Sequence, residues 1–439
     1  MGKINVGVVC LARNTFDFAA AGDIFDRTKK ELRSRDDVNF EIIEDLLFET
    51  EDAEKAGETL SEKHLDGLVI ISGTFHLGHL ALILNKRVNK PVLLWAFSEL
   101  PYNGGKIRLN SVCGVNLNAS NLYKAGVEDY TCVIGDKIDG EWLGALKIKS
   151  KLFNAHVGIA GYRAHGFFNL DTEDLHVYRE LGVLVDHYEL CELYRDPAPD
   201  EAVCGFGDTI AAEFDVSGIT GDQSSKVARL AASMEAFLKG NALDALAVRC
   251  WPEFAASYGC APCAAMALLT DKGYTLGCEG DLEGTLSLLA CRALSFDAPF
   301  MADLSQVDFE DETALMWHCG VAAGSLADGK SVKSLDTYFA GGKGVTTDFV
   351  MKDGVVTLFR MDTARGKTRV FLEKGTAVPM KKQLRGTYAK VRFNSPVSEV
   401  FAKVAEYGVA HHVAMVYGDH EKTFRTFAKL MGYEIITTL

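Results

Sequence analysis

Three short apolar runs near the start of the chain, INVGVVCL (4–11), DGLVIISG (66–73) and KPVLLWAF (90–97), restrict its fold more than any other feature. Each is continuous, rich in β-branched or aliphatic residues and shorter than a core helix, the pattern of a strand buried on both faces in a parallel sheet covered by helices. Between them, TFDFAAAGDIFDRTKKELRSR carries apolar residues at helical spacing and FEIIEDLLF reads as a further strand. Residues 1–153 are therefore expected to form a parallel, Rossmann-like α/β domain. Loops after such strands meet at the carboxyl edge of the sheet, where ligand sites collect. There the chain places Arg13 and Asn14, then Thr74, Phe75, His76 and His79, then Pro101, Asn103 and Gly104. The first turn, Leu11 to Asn14, lacks a GxGxxG cradle, so dinucleotide binding has little support.

The same alternation starts again near His156. HVGIAGYRAHGF, LGVLVDHYEL, ALDALAVRCW and TLGCEGD read as strand regions, with SSKVARLAASMEAFLKGN and CAAMALLTDKG as helices between them, giving a second parallel α/β domain over 154–296. From 297 the texture changes. GKGVTTDFVMKDGVVTLFRMDTARGKTRVFLEKGTAV and LRGTYAKVRFN alternate β-branched residues with DG and RG turns, which predicts antiparallel hairpins and a small barrel or sandwich over 297–439. The expected fold is thus α/β: two Rossmann-like domains followed by a β-rich, barrel-like one. SFDAPF, near 297, is the only linker-like stretch.

A chain of 439 residues exceeds what one core organises, which fits several domains. A net charge of -14, with no basic cluster to offset it, argues against a nucleic-acid surface. No apolar run reaches the roughly eighteen residues that span a bilayer, and the start runs straight into a strand pattern, so a cytoplasmic protein is expected. The 11 cysteines follow no framework spacing and read as reduced thiols.

Chemistry concentrates between Gly277 and Gly320. Glu279 and Asp281, then Asp303, bracket the apolar segment LSLLACRAL, and His318 follows. Carboxylates beside buried apolar sequence need a partner, because desolvating one alone costs several kcal/mol. Carboxylates together with imidazole suit a hard divalent cation such as Mn, Mg or Fe. The plainer reading of Glu279 and Asp281 is that they cap the following helix, a role acids often take. In AHHVAMVYGDH the histidine doublet adjoins a strand, and at most one of the pair is expected to be a ligand, with His411 well placed for it. The CAPC pair, Cys260 and Cys263, has no matching second pair and reads as two packed thiols on one helical turn. No GxSxG is present, and FAGGKGVTTD lacks the order of a phosphate loop and reads as a hairpin loop.

These residues carry a resemblance. CEGDLEGTLSLLACRALSFDAPFMAD is similar to the metal-binding stretch of the L-fucose isomerase and L-arabinose isomerase superfamily, in its fucose-type branch. MWHCGVAAG is similar to the family segment at His318, YGVAHHVAMVYGD to the segment that supplies the histidine ligand, and GVVTLFR to a strand of the C-terminal barrel. The resemblance implies an aldose–ketose isomerase working through an enediolate, with Mn2+, or Mg2+ or Co2+, held by Glu279, Asp303 and His411. It implies Glu279 and Asp303 as the proton-moving carboxylates and His318 as a second-layer or hydroxyl contact. It also implies a homo-oligomer, a hexamer or other, with sites completed by a neighbour's N-terminal domain; Arg13, His76 and Asn103 are the candidates for that contribution, and Asn14 is a candidate substrate contact. The chain departs from the fucose enzymes in its shorter length, in Ala410 where they carry asparagine, and in Arg249 and Trp251 where they use other polar groups. An arginine near the sugar suits an anionic hexose such as sulfoquinovose. A non-catalytic sugar sensor, and a metal-dependent lyase or hydrolase on the same ligands, are the alternatives.

Overall fold

The computed structural model describes residues 3–295, 297–338 and 342–439. The linker-like SFDAPF and the glycine-rich FAGGKGVTTD lie partly outside them, at residue 296 and residues 339–341. The chain forms two compact units, Met1–Ser150 with Arg425–Tyr433, and Lys151–Phe424 with Glu434–Leu439.

In the first unit, strands β1 (Ile4–Leu11), β2 (Val38–Leu47), β3 (Gly67–Ser72), β4 (Val92–Ala96) and β5 (Tyr130–Ile134) form a five-stranded parallel sheet in the order β2-β1-β3-β4-β5. The continuous apolar runs occupy the three central positions, where helices cover both faces; Val69, Ile70, Leu93 and Leu94 are fully buried. The half-exposed strands β2 and β5 take the edges. Val9, Leu11, Ile70, Leu84 and Leu94 belong to one packed cluster, and each such side chain contributes about 1.5–3 kcal/mol by leaving water.

The second unit holds two sheets. Strands β6 (His156–Ala160), β7 (Leu184–Tyr188), β8 (Ala245–Val248) and β9 (Thr275–Gly277) are parallel, in the order β7-β6-β8-β9. The other is a mixed sheet of nine strands: β10 (Phe300–Asp308), β11 (Thr313–His318), β12 (Ser334–Asp336), β13 (Thr346–Val350), β14 (Gly354–Ala364), β15 (Lys367–Val378), β16 (Thr387–Phe393), β17 (His412–Tyr417) and β18 (Glu434–Ile436). Their order is β12-β13-β16-β11-β10-β17-β14-β15-β18, with a further pairing of β15 with β16. The hairpin expected at the RG turn is present as the long antiparallel pair β14 and β15.

The helix Leu282–Arg292 explains why LSLLACRAL shows no polar face. It packs against β8 and β9 of the parallel sheet and against β14 and β17 of the mixed sheet, so every residue from Leu282 to Cys291 is buried. Its N-terminus, the end of β9, the start of β17 and Asp303 within β10 therefore come together at one place. No helix among the described residues is long and apolar enough to cross a membrane.

Candidate metal centre

Glu279 leaves β9 in a left-handed turn, with φ of 60° followed by 71° at Gly280. Such a conformation costs a residue with a side chain on the order of 1–3 kcal/mol, so its surroundings must enforce it. The Ala164 N–H donates to the Glu279 carbonyl at 2.8 Å, and the Gly280 N–H donates to the Val248 carbonyl at 3.0 Å. A Cβ at Gly280 would stand 2.2 Å from the Tyr162 carbonyl, so only glycine lets the turn close on the loop after β6. The turn aims the Glu279 side chain at three donors. Trp251 Nε1–H donates to Oε1 at 3.0 Å, while Oε2 lies 3.3 Å from His412 Nε2 and 3.7 Å from His411 Nε2. Burial works to raise the pKa of Glu279, but the two imidazoles outweigh it and hold the carboxyl down at about 2.

Strand register brings in the second carboxylate. β10 and β17 run antiparallel with Asp303 opposite His412, and directly opposed residues project from the same face. His412 Nε2 stands 3.6 Å from Asp303 Oδ1, which is buried and has no hydrogen-bond partner. The other ring nitrogen of His412, Nδ1, donates to Asp281 Oδ2 at 2.8 Å. Asp281 is itself fixed: Arg360 Nη1 donates to Oδ2 at 2.7 Å and Nη2 to Oδ1 at 3.2 Å, and the Gly284 N–H donates to Oδ1 at 2.8 Å. Asp281 is thus the helix cap that its position suggests and also the partner that orients a histidine. Burial would lower the pKa of His412, yet Asp281 and Glu279 raise it to about 9.

The donor set fits a hard divalent cation. Glu279, His411 and His412 offer ligand atoms within 4.8 Å of one another, and so do Asp303, His318 and His412. Two carboxylates and imidazole nitrogen are the ligands such ions take, and the unpartnered Asp303 oxygen is what a missing cation would satisfy. Carboxylate behind imidazole, as in Asp281 behind His412, is the usual support of a metal-binding histidine.

Of the sequence-derived candidates, Glu279, Asp303, His318, His411 and Trp251 come together here. Of the two carboxylates His411 faces only Glu279; it is partly exposed, accepts from Asn169 Nδ2 at 3.1 Å and has its ring 4.2 Å from that of His412. Phe167 packs edge-on against both Trp251 and His411, at 5.9 and 5.2 Å. His318 is buried, with its ring 5.6 Å from that of His412. Arg249 follows β8 and pairs with Glu253 at 3.2 Å. In the first unit Asn14 and Asn103 are exposed and Arg13 is half-buried. His76 is buried there, with Nδ1 2.9 Å from the Thr74 carbonyl and Nε2 2.8 Å from Asn118 Nδ2, so both ring nitrogens are engaged; burial lowers its pKa to about 4. Sequence reasoning passed over His412, Asp281 as an orienting group, and Arg360. An arginine inside the apolar strand GVVTLFR was the signal for the last, since a charge there demands an acid nearby.

Comparison with known proteins gives the same direction. Residues 7–137 match a family model described as fucose/sulfoquinovose isomerase, N-terminal domain, and residues 316–438 one described as L-fucose isomerase, C-terminal domain. Sulfoquinovose isomerase of Priestia megaterium (strain ATCC 12872 / QMB1551) is 26% identical over 444 residues, covering 99% of each chain. Sulfoquinovose isomerase of Alkalicoccus urumqiensis is 29% identical over 384 residues, covering 84% of this chain and 86% of that one. The chain belongs to the fucose isomerase-like family of aldose–ketose isomerases.

Proposed function

We propose that the protein is a metal-dependent sulfoquinovose isomerase that interconverts the 6-sulfonated aldose and its ketose. The observation that carries this reading is the meeting of Glu279, Asp303 and His412, with a buried Asp303 oxygen left unpartnered, in a chain whose relatives bear that name. A divalent ion held by Glu279, Asp303 and His412, with His411 beside them, would polarise the sugar carbonyl as a Lewis acid; Mn2+ suits the ligands, as do Mg2+ and Co2+. One of Glu279 and Asp303 removes the proton from carbon 2 and delivers it to carbon 1, and the other carries the hydroxyl proton from oxygen 2 to oxygen 1. No atom is gained or lost, which separates an isomerase from a lyase or hydrolase using the same ligands. Trp251 holds Glu279 through Oε1, and Phe167 with Trp251 supplies an apolar wall beside it.

The negative substituent calls for a cation. Arg249 pairs with Glu253 at 3.2 Å and Arg163 with Asp171 at 3.7 Å, and the buried Nε of each lacks a hydrogen-bond partner; Arg163, beside Gly280, also lies over the rings of Tyr162 and Phe168. Both are candidates for the sulfonate, and Arg163 stands beside the turn that aims Glu279. The test is to incubate manganese-loaded protein with sulfoquinovose, fucose, arabinose and rhamnose-like sugars and to assay ketose. Sulfoquinovose is expected to give the highest kcat/KM, and Arg163→Leu to raise KM for it while changing KM for a neutral sugar little. A neutral sugar preferred over sulfoquinovose would overturn the substrate assignment.

The histidine doublet gives a second expected result. His412→Gln should weaken Mn2+ binding by about 10–100-fold or more, and His411→Gln by less, because only His412 faces both carboxylates. Calorimetric titration of the two variants checks this; equal losses would assign the ligand role to both. We further infer a cytoplasmic homo-oligomer, with Arg13 and Asn103 as candidates for completing a neighbour's site, Asn14 as a substrate contact beside them and the buried, doubly engaged His76 set aside, and a barrel-like closure of the mixed sheet. The family resemblance supports the oligomer, and the pairing of β15 with β16 supports the closure.

A further inference from the structure

Isomerisation uses none of the four sulfurs that gather behind His318. Cys250 follows β8, Cys278 follows β9, Cys319 follows β11, and Cys263 opens the helix Cys263–Asp271. All four are buried. Cys250 Sγ lies 3.0 Å from Cys278 Sγ, Cys263 Sγ lies 3.9 Å from Cys319 Sγ, and His318 Nδ1 lies 3.2 Å from Cys319 Sγ. Cys278, Cys319 and His318 present donor atoms that all fall within 4.8 Å of one another. The CAPC motif does not supply this cluster as a pair, because the Cys260 thiol donates instead to the Ala261 carbonyl. Cys263 meets partners distant in sequence, which is why the missing second pair hid the arrangement.

Thiols acting as small apolar groups would pack against hydrocarbon. Here each sulfur touches another and the row ends on an imidazole nitrogen. Two thiolates bound to one zinc ion at about 2.3 Å stand about 3.8 Å apart in a tetrahedral site. The spacing of Cys263 and Cys319 already matches this; Cys278, within 4.8 Å of the others, would move in, and His318 Nδ1, 3.2 Å from Cys319 Sγ, would move slightly out and give up the hydrogen bond it accepts from the Cys319 N–H at 2.9 Å. Cys250 stands too close to Cys278 for both to bind one ion, which leaves Cys250 to donate its S–H to the Cys278 sulfur. With Cys263 kept as a protonated fourth contact, two thiolates, one neutral imidazole and a divalent ion sum to zero charge, which spares the buried pocket a net charge.

We propose that Cys278, Cys319 and His318, with Cys263 as the nearest fourth donor, form a second metal site selective for thiophilic divalent ions of the Zn2+ or Cd2+ class. Its ligands are soft where those of Glu279, Asp303 and His412 are hard, so Mn2+ fills the one and leaves the other empty. Binding displaces two protons to solvent from the set Cys278, Cys319 and His318, which leaves two thiolates and a neutral imidazole. Because the donors are buried, the ion enters through local opening and binds slowly.

The experiment uses the manganese-loaded full chain in which the exposed Cys113, Cys132, Cys191 and Cys204 are replaced by serine. Cd2+ is titrated while the ultraviolet thiolate-to-cadmium absorption and the released protons are recorded. One Cd2+ per chain with that absorption and two protons is expected, unchanged in Cys260→Ala and weakened at least tenfold in Cys278→Ala and in Cys319→Ala. Cadmium NMR of the background protein reads the number of bound sulfurs directly, so the result stands even if a cysteine variant fails to fold. A chemical shift of an oxygen- and nitrogen-bound ion, no thiolate absorption at excess Cd2+, or an undiminished signal in the folded Cys278→Ala/Cys319→Ala protein would each overturn the proposal.

Discussion

Glu279→Gln is expected to lower kcat by a factor on the order of 10³ or more while leaving the fold intact. Gln keeps an oxygen for the Trp251 N–H, so the side chain stays where the turn aims it. The carboxylate charge is what disappears, and with it both a metal ligand and a proton carrier. His411 and His412 lose the anion that faces them, and the cation should bind more weakly too. The measurement is ketose formation at saturating Mn2+, beside a circular dichroism spectrum and a denaturation midpoint. Activity within a few-fold of the unmodified protein would remove Glu279 from the chemistry, whatever the fate of the metal. A collapsed fold would instead identify the residue as structural, through its left-handed turn.

How much of this was legible in the sequence depends on whether the signal was local. The runs Ile4–Leu11, Gly67–Ser72 and Val92–Ala96 announced a parallel sheet because burial on both faces demands continuous apolar residues. Glu279 and Asp303 were legible because an acid bordering buried apolar sequence has few stable outcomes. The choice between His411 and His412 was not legible. It turns on strand register, and shifting by one residue moves a side chain to the opposite face of a sheet. Only the pairing of Asp303 with His412 shows which imidazole lies beside that carboxylate. The cysteine cluster was hidden for a related reason, since its members sit at the ends of separate strands and share no local spacing. Arg360 was visible as an oddity in an apolar strand, but its partner, Asp281, lies on another element.

That pair leads to the largest expected stability change. Arg360 and Asp281 are both fully buried, and the guanidinium grips the carboxylate through two nitrogens. Arg360→Met would fill much of the same volume but leave the carboxylate in a low-dielectric interior with only His412 and the Gly284 N–H to satisfy it. Breaking one side of a buried pair costs about 3–5 kcal/mol, most of it the penalty of the stranded charge. Replacing both partners should cost less than replacing one: Asp281→Asn retains an acceptor for the Gly284 N–H, so Arg360→Met/Asp281→Asn is expected to recover part of the loss. The two effects, on folding and on the site, can be separated. Chemical denaturation in the presence of a chelator reads the first, and Mn2+ affinity of the folded variant reads the second. Because Asp281 orients His412 and Arg360 also donates to the His412 carbonyl at 3.1 Å, affinity should fall about 10–100-fold even where the fold persists. A loss under about 1 kcal/mol for Arg360→Met, with the double variant no better than the single, would mean that solvent reaches Asp281. In that case the rigid backing inferred for His412 would have to come from elsewhere.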